Sequence, residues 1–330
     1  MLNPARRGYA RGRAALEASA REAGLGLVVH TTTVAEPGGP QASRALAAGA
    51  RTIVAGGGDG TVRAVAAAVA GRGVPLGIVP YGTANLLARN LRLPLRRPRA
   101  AARAALIGAA RPLDAGLADI TFGDGLRGRD CFLVVAGLGR DAEAIARTSP
   151  RLKRRLGWLA YLRVGASLMG RPPIAMDVIA ADAGPRRPAG RAEPGREKSA
   201  PLEHPCRIDA WTVLVGNCPR LPAGIAIFPD ARPDDGVLDT LVAAPRGLAD
   251  WARVASAGLG WPGGVRALRY GRASAVTLRP DRPRALQLDG DVVAGVAEVT
   301  LRVQPDALLV RRPAAAPRVS GRRSRPAGTP

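Results

Sequence analysis

The sequence predicts two domains: an N-terminal α/β domain on a mostly parallel, Rossmann-like sheet, followed by a C-terminal antiparallel β-sandwich. Three observations carry this prediction. The first third alternates helix-like and strand-like stretches, the pattern of βαβ units. After Pro112, short β-rich runs are separated by Gly, Pro and Asp turns, as in sandwiches and barrels. A chain of 330 residues is long enough for about two domains.

The elements follow in order. Arg13–Ala23, rich in Ala, Glu and Arg, reads as a helix and Leu25–Thr31 as a strand. Gln41–Ala48 is helical, Thr52–Ala55 a strand, Thr61–Ala70 a helix and Leu76–Val79 a strand. Thr83–Asn90 opens a further helix with Thr83 as its N-cap. Beyond Pro112, the runs "FLVVAGL", "IDAWTVLVGN", "GVLDTLVAA", "AVTLRP", "RALQLDG" and "VAEVTLRV" read as strands. The expected first domain is 1–115, with 300–312 able to return and complete it, and the second is 116–300. Ala183–Pro205 and 313–330, rich in Pro, Gly and charge, are expected to be disordered.

Composition narrows the function classes. A net charge of +23 points to an anionic partner: nucleotide phosphate, a membrane surface or nucleic acid. Of the 49 basic residues only Lys153 and Lys198 are lysines, so the bias of a GC-rich coding sequence is a competing account. Aromatics are 3% and no nucleic-acid module appears, which argues against nucleic acid. Cys131, Cys206 and Cys218 form no CxxC pair, and with only His30 and His204 beside them they argue against a zinc site. No apolar stretch approaches the ~20 residues of a spanning helix, and "MLNPARRGYARGR" lacks a signal-peptide core. A cytoplasmic protein, able to touch a membrane peripherally, is expected.

The chemistry begins at "AGGGDGTVRAV", residues 55–65. A strand feeding a Gly-rich turn that opens a helix aims main-chain N–H groups and a helix N-terminus at one point, which suits phosphate. A plain tight turn is the alternative. The stretch fits neither GxxxxGK[ST] nor a clean GxGxxG with a later acid. Asp59 is the unusual member, because a carboxylate beside a phosphate repels it unless a divalent cation or a substrate hydroxyl intervenes. That combination points to metal-assisted phosphoryl transfer. "VPYGTANLLARNL", Val79–Leu91, repeats the strand-to-helix turn with Gly82, and Thr83 and Asn85 could bond phosphate or ribose. Two such loops on neighbouring parallel strands would share one crevice.

"GGDGT" (Gly57–Thr61), "PYGTAN" (Pro80–Asn85) and "LLARNL" together resemble the diacylglycerol kinase catalytic-domain family of soluble bacterial lipid kinases and their sphingosine and ceramide kinase relatives. "NPARRG" (Asn3–Gly8), "PLDAGLAD", "FLVVAGLGRDAEAI", "GWLAYL", "FPDARPDDGVLD" and "LDGD" (Leu288–Asp291) follow in the family's order over nearly the whole chain. The resemblance implies an NAD-kinase/diacylglycerol-kinase-like fold with ATP between the domains. It implies nucleotide contacts from Asn3, Pro4, Gly8, Thr33, Gly57, Gly58, Asp59, Gly60, Thr61, Gly82, Thr83 and Asn85. Asp59 would orient Mg–ATP or the acceptor hydroxyl, and Asp289 or Asp291 would be the general base. Asp235, with the main-chain carbonyls of Arg232 and Val237, matches a structural Mg2+ loop; a plain Asp-Gly hairpin turn is the alternative there.

Three departures stand out. The family usually has Asn-Glu where this chain has Arg63 and Ala64, its DGE is DGD here, and no strand precedes the "NPARRG" loop; either the start is set too late or the sheet lacks one strand, which would leave an edge exposed. The implied activity is ATP- and Mg2+-dependent phosphorylation of a lipid hydroxyl at a membrane surface, with diacylglycerol the leading acceptor. A non-catalytic nucleotide-binding relative and an NAD kinase-like enzyme are the alternatives. Arg151–Gly170, basic with Trp158 and Tyr161, reads either as an interfacial amphipathic helix or as a core-packed one. Oligomeric state is left open, a homodimer being one option.

Overall fold

Small apolar residues build the first half. The computed structural model describes residues 1–148, 167–183, 205–221, 224–258 and 267–313. Strand β1 (Ile53–Gly57) is buried along its whole length and pairs in parallel with β2 (Pro75–Pro80), from Ile53↔Leu76 to Gly57↔Pro80. An unbroken buried run is what a parallel strand covered on both faces requires. On one face, α1 (Tyr9–Glu22) and α5 (Pro98–Ile107) pack Leu16, Ala20, Ala102 and Ala105 against Val54 and Val79. On the other lie α2 (Gly39–Ala47), α3 (Asp59–Val69) and the short α4 (Leu86–Asn90), joining Val62, Val65 and Leu86 to Ile53, Leu76 and Ile78.

Two local expectations change. Leu25–Thr31 forms no ladder; Thr31 makes one isolated bridge, to Leu2, and Leu25 and Val28 are exposed. Met1–Asn3 lies between this stretch and β1: Leu2 N donates to His30 O (2.8 Å), Thr32 N to Leu2 O (2.9 Å), Gly56 N to Met1 O (2.8 Å) and Asn3 N to Gly56 O (2.9 Å). The edge of β1, expected to be bare, is therefore covered by three residues. The second change is at α4, which begins at Leu86 with Asn85, not Thr83, as N-cap.

The second half is antiparallel. It comprises β3 (Ala109–Phe122), β4 (Arg127–Phe132), β5 (Val135–Gly139), α6 (Arg140–Arg147), β6 (Ile174–Ala181), β7 (Cys206–Ala210), β8 (Thr212–Gly216), β9 (Leu238–Ala243), α7 (Leu248–Gly258), β10 (Leu268–Ala273), β11 (Ala275–Pro280), β12 (Arg284–Leu288) and β13 (Asp291–Arg312). The hydrogen-bonded order is β10-β9-β8-β5-β12-β13-β11-β6-β7. Their inward residues, among them Phe132, Leu138, Met176, Val213, Leu286 and Val299, form one core. The α/β first half and antiparallel second half are those the sequence predicts.

Two long strands join the halves. β13 pairs with β3 from Val296↔Phe122 to Arg312↔Ala109, and its last turn of ladder runs parallel to β2 at Leu309↔Pro75 and Val310↔Leu76. The junction is apolar: Leu133, Val134, Val135, Leu214 and Phe228 pack in the same cluster as Val62, Ile78 and Leu86. A filled junction of this kind fixes where the two sides of a cleft stand.

Arg151–Gly170 falls mostly on residues 149–166, and Ala183–Pro205 and the 313–330 tail mostly on 184–204 and 314–330. Those expectations lie outside the described residues. Among the described residues no helix is long and apolar enough to cross a membrane, and the three cysteines are free.

Candidate active site

The site starts where β1 ends. Gly58 is the N-cap of α3 in an extended conformation, with no side-chain cap. The first-turn amides of a helix have no intrahelical acceptor, so those of α3 add to the helix dipole as an anion-binding feature. Glycine is required here by close approach. A Cβ on Gly82 would lie 2.3 Å from Gly58 Cα, and one on Gly57 would lie 2.9 Å from Thr61 Oγ1. The two glycine loops therefore touch main chain to main chain.

Asp59 ties the loops together. Its Oδ2 accepts the Asn85 amide at 2.9 Å and its Oδ1 accepts the Leu86 amide, so a carboxylate on α3 caps α4. Burial raises its pKa above the ordinary value, the amides oppose this, and the nearby Asp291 charge adds to the rise. Asn85 sits in the left-handed region (φ 49°). Its Oδ1 accepts Gly82 N and its Nδ2 donates to Gly82 O, both at 2.9 Å, so its amide braces the turn. Thr83 lies between them at the loop surface.

The N-terminal loop joins the same cluster. Asn3 Nδ2 donates to Thr61 Oγ1 (3.2 Å), and Asn3 N donates to Tyr81 Oη (3.1 Å), which itself donates to Gly56 O (2.7 Å). Burial pushes the Tyr81 phenol up to about 12, so it stays a neutral clamp. Pro4 opens the exposed turn that follows. Gly8 caps α1 against Tyr81, where a Cβ would come 2.4 Å from the Tyr81 Cβ. Thr33 is exposed, and its Oγ1 accepts Glu36 N at 3.0 Å.

The second half contributes the "LDGD" turn. Asp289 (φ 51°) and Gly290 (φ 89°) are both left-handed. The Asp289 carboxylate is buried and accepts three amides, Leu133 (2.8 Å), Val134 (2.9 Å) and Val135 (3.0 Å). Burial nevertheless pushes its carboxyl up to about 6. Asp291, by contrast, is half exposed and reaches the phosphate loop, its Oδ2 lying 3.1 Å from the point a Cβ on Gly60 would occupy. The turn thus divides its two acids. Asp289 holds the 133–135 loop, and Asp291 faces the N-terminus of α3.

The fit to ATP and to Mg2+ follows from these contacts. The half-buried Asp59–Gly60 turn and the first-turn amides of α3 suit a triphosphate, and Arg6 adds a cation, with Nη2 3.9 Å from the Cβ position of Gly58. Two carboxylates, Asp59 and Asp291, close enough to repel beside that cradle, suit a nucleotide that brings a divalent cation. Asp235 is buried and accepts Val237 N at 3.2 Å. The main-chain carbonyls of Arg232 and Val237, expected beside it from the resemblance, would complete an all-oxygen donor set of the kind that suits Mg2+. Among the described residues no group of three or more His, Cys, Asp or Glu side chains could hold a metal, so main-chain oxygens and water would have to complete that shell.

Several contributors escaped the sequence reading. Asp114, fully buried on β3, accepts Gly236 N (2.7 Å) and Asp306 N (2.8 Å) and so supports the Asp235 loop. Tyr81 carried the right neighbours in "PYGTAN", but nothing in its spacing announced contacts with Asn3 and Gly56. Arg63 bonds Asp130 and Asp291, and its departure from the family pattern was the available signal.

Known proteins resemble this architecture. The profile of the diacylglycerol kinase catalytic domain matches residues 5–118, and that of the YegS C-terminal NAD kinase beta sandwich-like domain matches 196–312. A "Probable lipid kinase YegS-like" of Pseudomonas aeruginosa (strain UCBPP-PA14) is 36% identical over 91% of this chain and 89% of its own. The protein so named in Pseudomonas fluorescens is 33% identical over 94% and 93%. A diacylglycerol kinase crystal structure from Bacillus anthracis str. Sterne superposes with a TM-score of 0.64 over 94% of both chains, at 17% identity, a likeness of fold.

Proposed function

Since the chain belongs to the family of YegS-like probable lipid kinases, built on a diacylglycerol kinase catalytic domain, we propose that it transfers the γ-phosphoryl group of Mg–ATP to a lipid hydroxyl, with diacylglycerol as acceptor and phosphatidic acid as product. The observation that carries this reading is the approach of Asp291, from the second half, to the first turn of α3 beside the two glycine loops. It supports a base and a phosphate cradle on opposite sides of one cleft.

In this reading the amides at the start of α3, Arg6 and the Asn3–Thr61 pair hold the triphosphate, and the Asp59 link keeps both loops in register. Asp291 accepts the proton of the lipid hydroxyl as its oxygen attacks the γ-phosphorus. The new P–O bond forms as the bond to the β-phosphate oxygen breaks, and ADP leaves with the electron pair. A Mg2+ ion brought with the nucleotide, beside Asp59 and Asp291, would neutralise charge on the phosphate oxygens. Positioning and charge neutralisation supply most of the rate in such a transfer. The lipid stays in its bilayer, and the cationic surface draws the enzyme to anionic membranes.

The test is transfer of a labelled γ-phosphate from ATP to vesicles carrying diacylglycerol, a sphingoid base, ceramide, phosphatidylglycerol or a polyprenyl alcohol. Label in phosphatidic acid is the expected result. Label in another lipid moves the acceptor and keeps the kinase. ATP bound with no labelled lipid contradicts the reading and leaves a nucleotide-binding relative without transfer; label on NAD would make it an NAD kinase-like enzyme.

A further inference from the structure

One arginine spans the meeting point of the two halves. Arg63 lies four residues after Asp59 on α3, so the two share a helix face one turn apart. Its Nη2 donates to Asp291 Oδ2 at 2.9 Å, and its Nη1 donates to Asp130 Oδ2 at 2.5 Å and to the Cys131 carbonyl at 3.4 Å. The Arg63 side chain is only 15% exposed, against 37% for Asp130 and 51% for Asp291. Burial works against its charge, but the two carboxylates outweigh it and raise its pKa.

The two acids of the turn are held differently. Asp289 is fixed by three amides from its own half. Among the described residues, Arg63 is the only side chain that bonds Asp291. A half-exposed carboxylate with nothing to hold it samples several rotamers, and a displacement of about 1 Å at a reacting group can cost 100-fold in rate. The donor that removes this freedom comes from the helix whose N-terminus forms the phosphate cradle.

We propose that Arg63 is a positioning residue for the phosphoryl transfer: its bridge from Asp130 to Asp291 sets the cleft-facing carboxylate in register with the phosphate loop. The inference rests on the kinase reading above. The guanidinium geometry is essential to it. Two nitrogens of one planar fork reach carboxylates on two different elements, β4 and β13, whereas a lysine ammonium offers a single point charge on a flexible stem. The shorter acid in DGD and the arginine in place of the family's asparagine thus belong to one device, a carboxylate held by a partner from across the cleft.

The experiment compares wild type, Arg63→Ala, Arg63→Gln and Arg63→Lys in the labelled-ATP vesicle assay, with thermal melts and ATP titrations alongside. Arg63→Gln keeps most of the aliphatic stem and serves where Arg63→Ala does not fold. The expected result is a kcat lower by about 10- to 100-fold with KM for ATP changed by less than about 2-fold. Added ethylguanidinium should restore part of the Arg63→Ala rate, and Arg63→Lys should not recover it. In an Asp291→Ala background, losing Arg63 should cost nothing further. Unchanged kcat in Arg63→Ala, full recovery by lysine, or a loss of ATP binding that guanidinium does not repair overturns the proposal. Failure of the kinase reading looks different: the wild type then binds ATP and labels no lipid, and this role falls with it.

Discussion

On the nucleotide side of the cleft, Asp59 has both oxygens on main-chain amides of the neighbouring loop; on the acceptor side, Asp291 is held by one long side chain reaching over from the other half. Asp289, two residues away, resembles Asp59, since three amides surround it. The contrast is between carboxylates held by main-chain amides, Asp59 and Asp289, and one held by a single side chain, Asp291. Carboxylates saturated by backbone donors order loops at little conformational cost, whereas one that must exchange a proton needs an open lone pair and an adjustable support. In the proposed reading the glycine loops are fixed within one half, whereas Asp291 takes its position only when both halves are in place.

Breaking the scaffold should have the largest effect. Asp59→Ala removes the acceptor of two amides and frees the second glycine loop; transfer should fall by 100-fold or more and stability by about 3 kcal/mol, read by vesicle assay and urea titration. Near-wild-type values in both would mean the loops do not depend on this link. Close behind comes the LDGD pair. Asp289→Asn turns an amide NH2 toward backbone donors and should cost about 2 kcal/mol of stability. Asp291→Asn should leave stability within about 0.5 kcal/mol yet lower kcat sharply. Equal stability losses would erase the distinction drawn here.

The glycines sharpen the same comparison. Gly82→Ala forces main chain apart, with its Cβ 2.3 Å from Gly58 Cα, whereas a Cβ on Gly58 meets ordinary contact at 3.4 Å. Gly82→Ala should therefore lower Tm by several degrees, and Gly58→Ala should raise KM for ATP by about 10-fold with Tm nearly unchanged. The smallest effect is on pH. Burial pushes the Asp141 and Asp289 carboxyls up to about 6. Between the ordinary carboxylate value and 6, the native state binds protons that the unfolded chain has released. These two groups therefore add stability as pH falls from 7 toward 5 and lose that contribution as pH rises through 6, at up to about 1.4 kcal/mol per unit and group. Melts across this range should show the rise, and Asp141→Asn should flatten it.

Much of this was legible in the chain. Glycine spacing between a strand and a helix marks a phosphate loop because few other residues permit the backbone approach, so Gly57–Thr61 and Gly82 stood out. Partnerships between distant side chains did not. Asp59 read as a residue that orients Mg–ATP or the acceptor hydroxyl because a carboxylate in such a loop is unusual; its capping of α4, 26 residues on, has no local signature. Arg63 and Asp291 are 228 positions apart, a pairing no periodicity encodes. Leu25–Thr31 has strand composition, but its one bridge is to Leu2, and a ladder depends on a partner as much as on propensity. The helix Pro98–Ile107, half of it alanine, went unread because its alanines gave a weak apolar stripe, although close packing on Gly77 needs such small side chains.

Hydrogen exchange on the wild-type protein, with and without Mg–ATP, tests the central claim most directly. The account predicts slowed exchange in peptides covering 55–65 and 79–91 and unchanged exchange across 174–181 at the far edge of the second half. Protection confined to other segments, or none at either glycine loop with nucleotide bound, would contradict it.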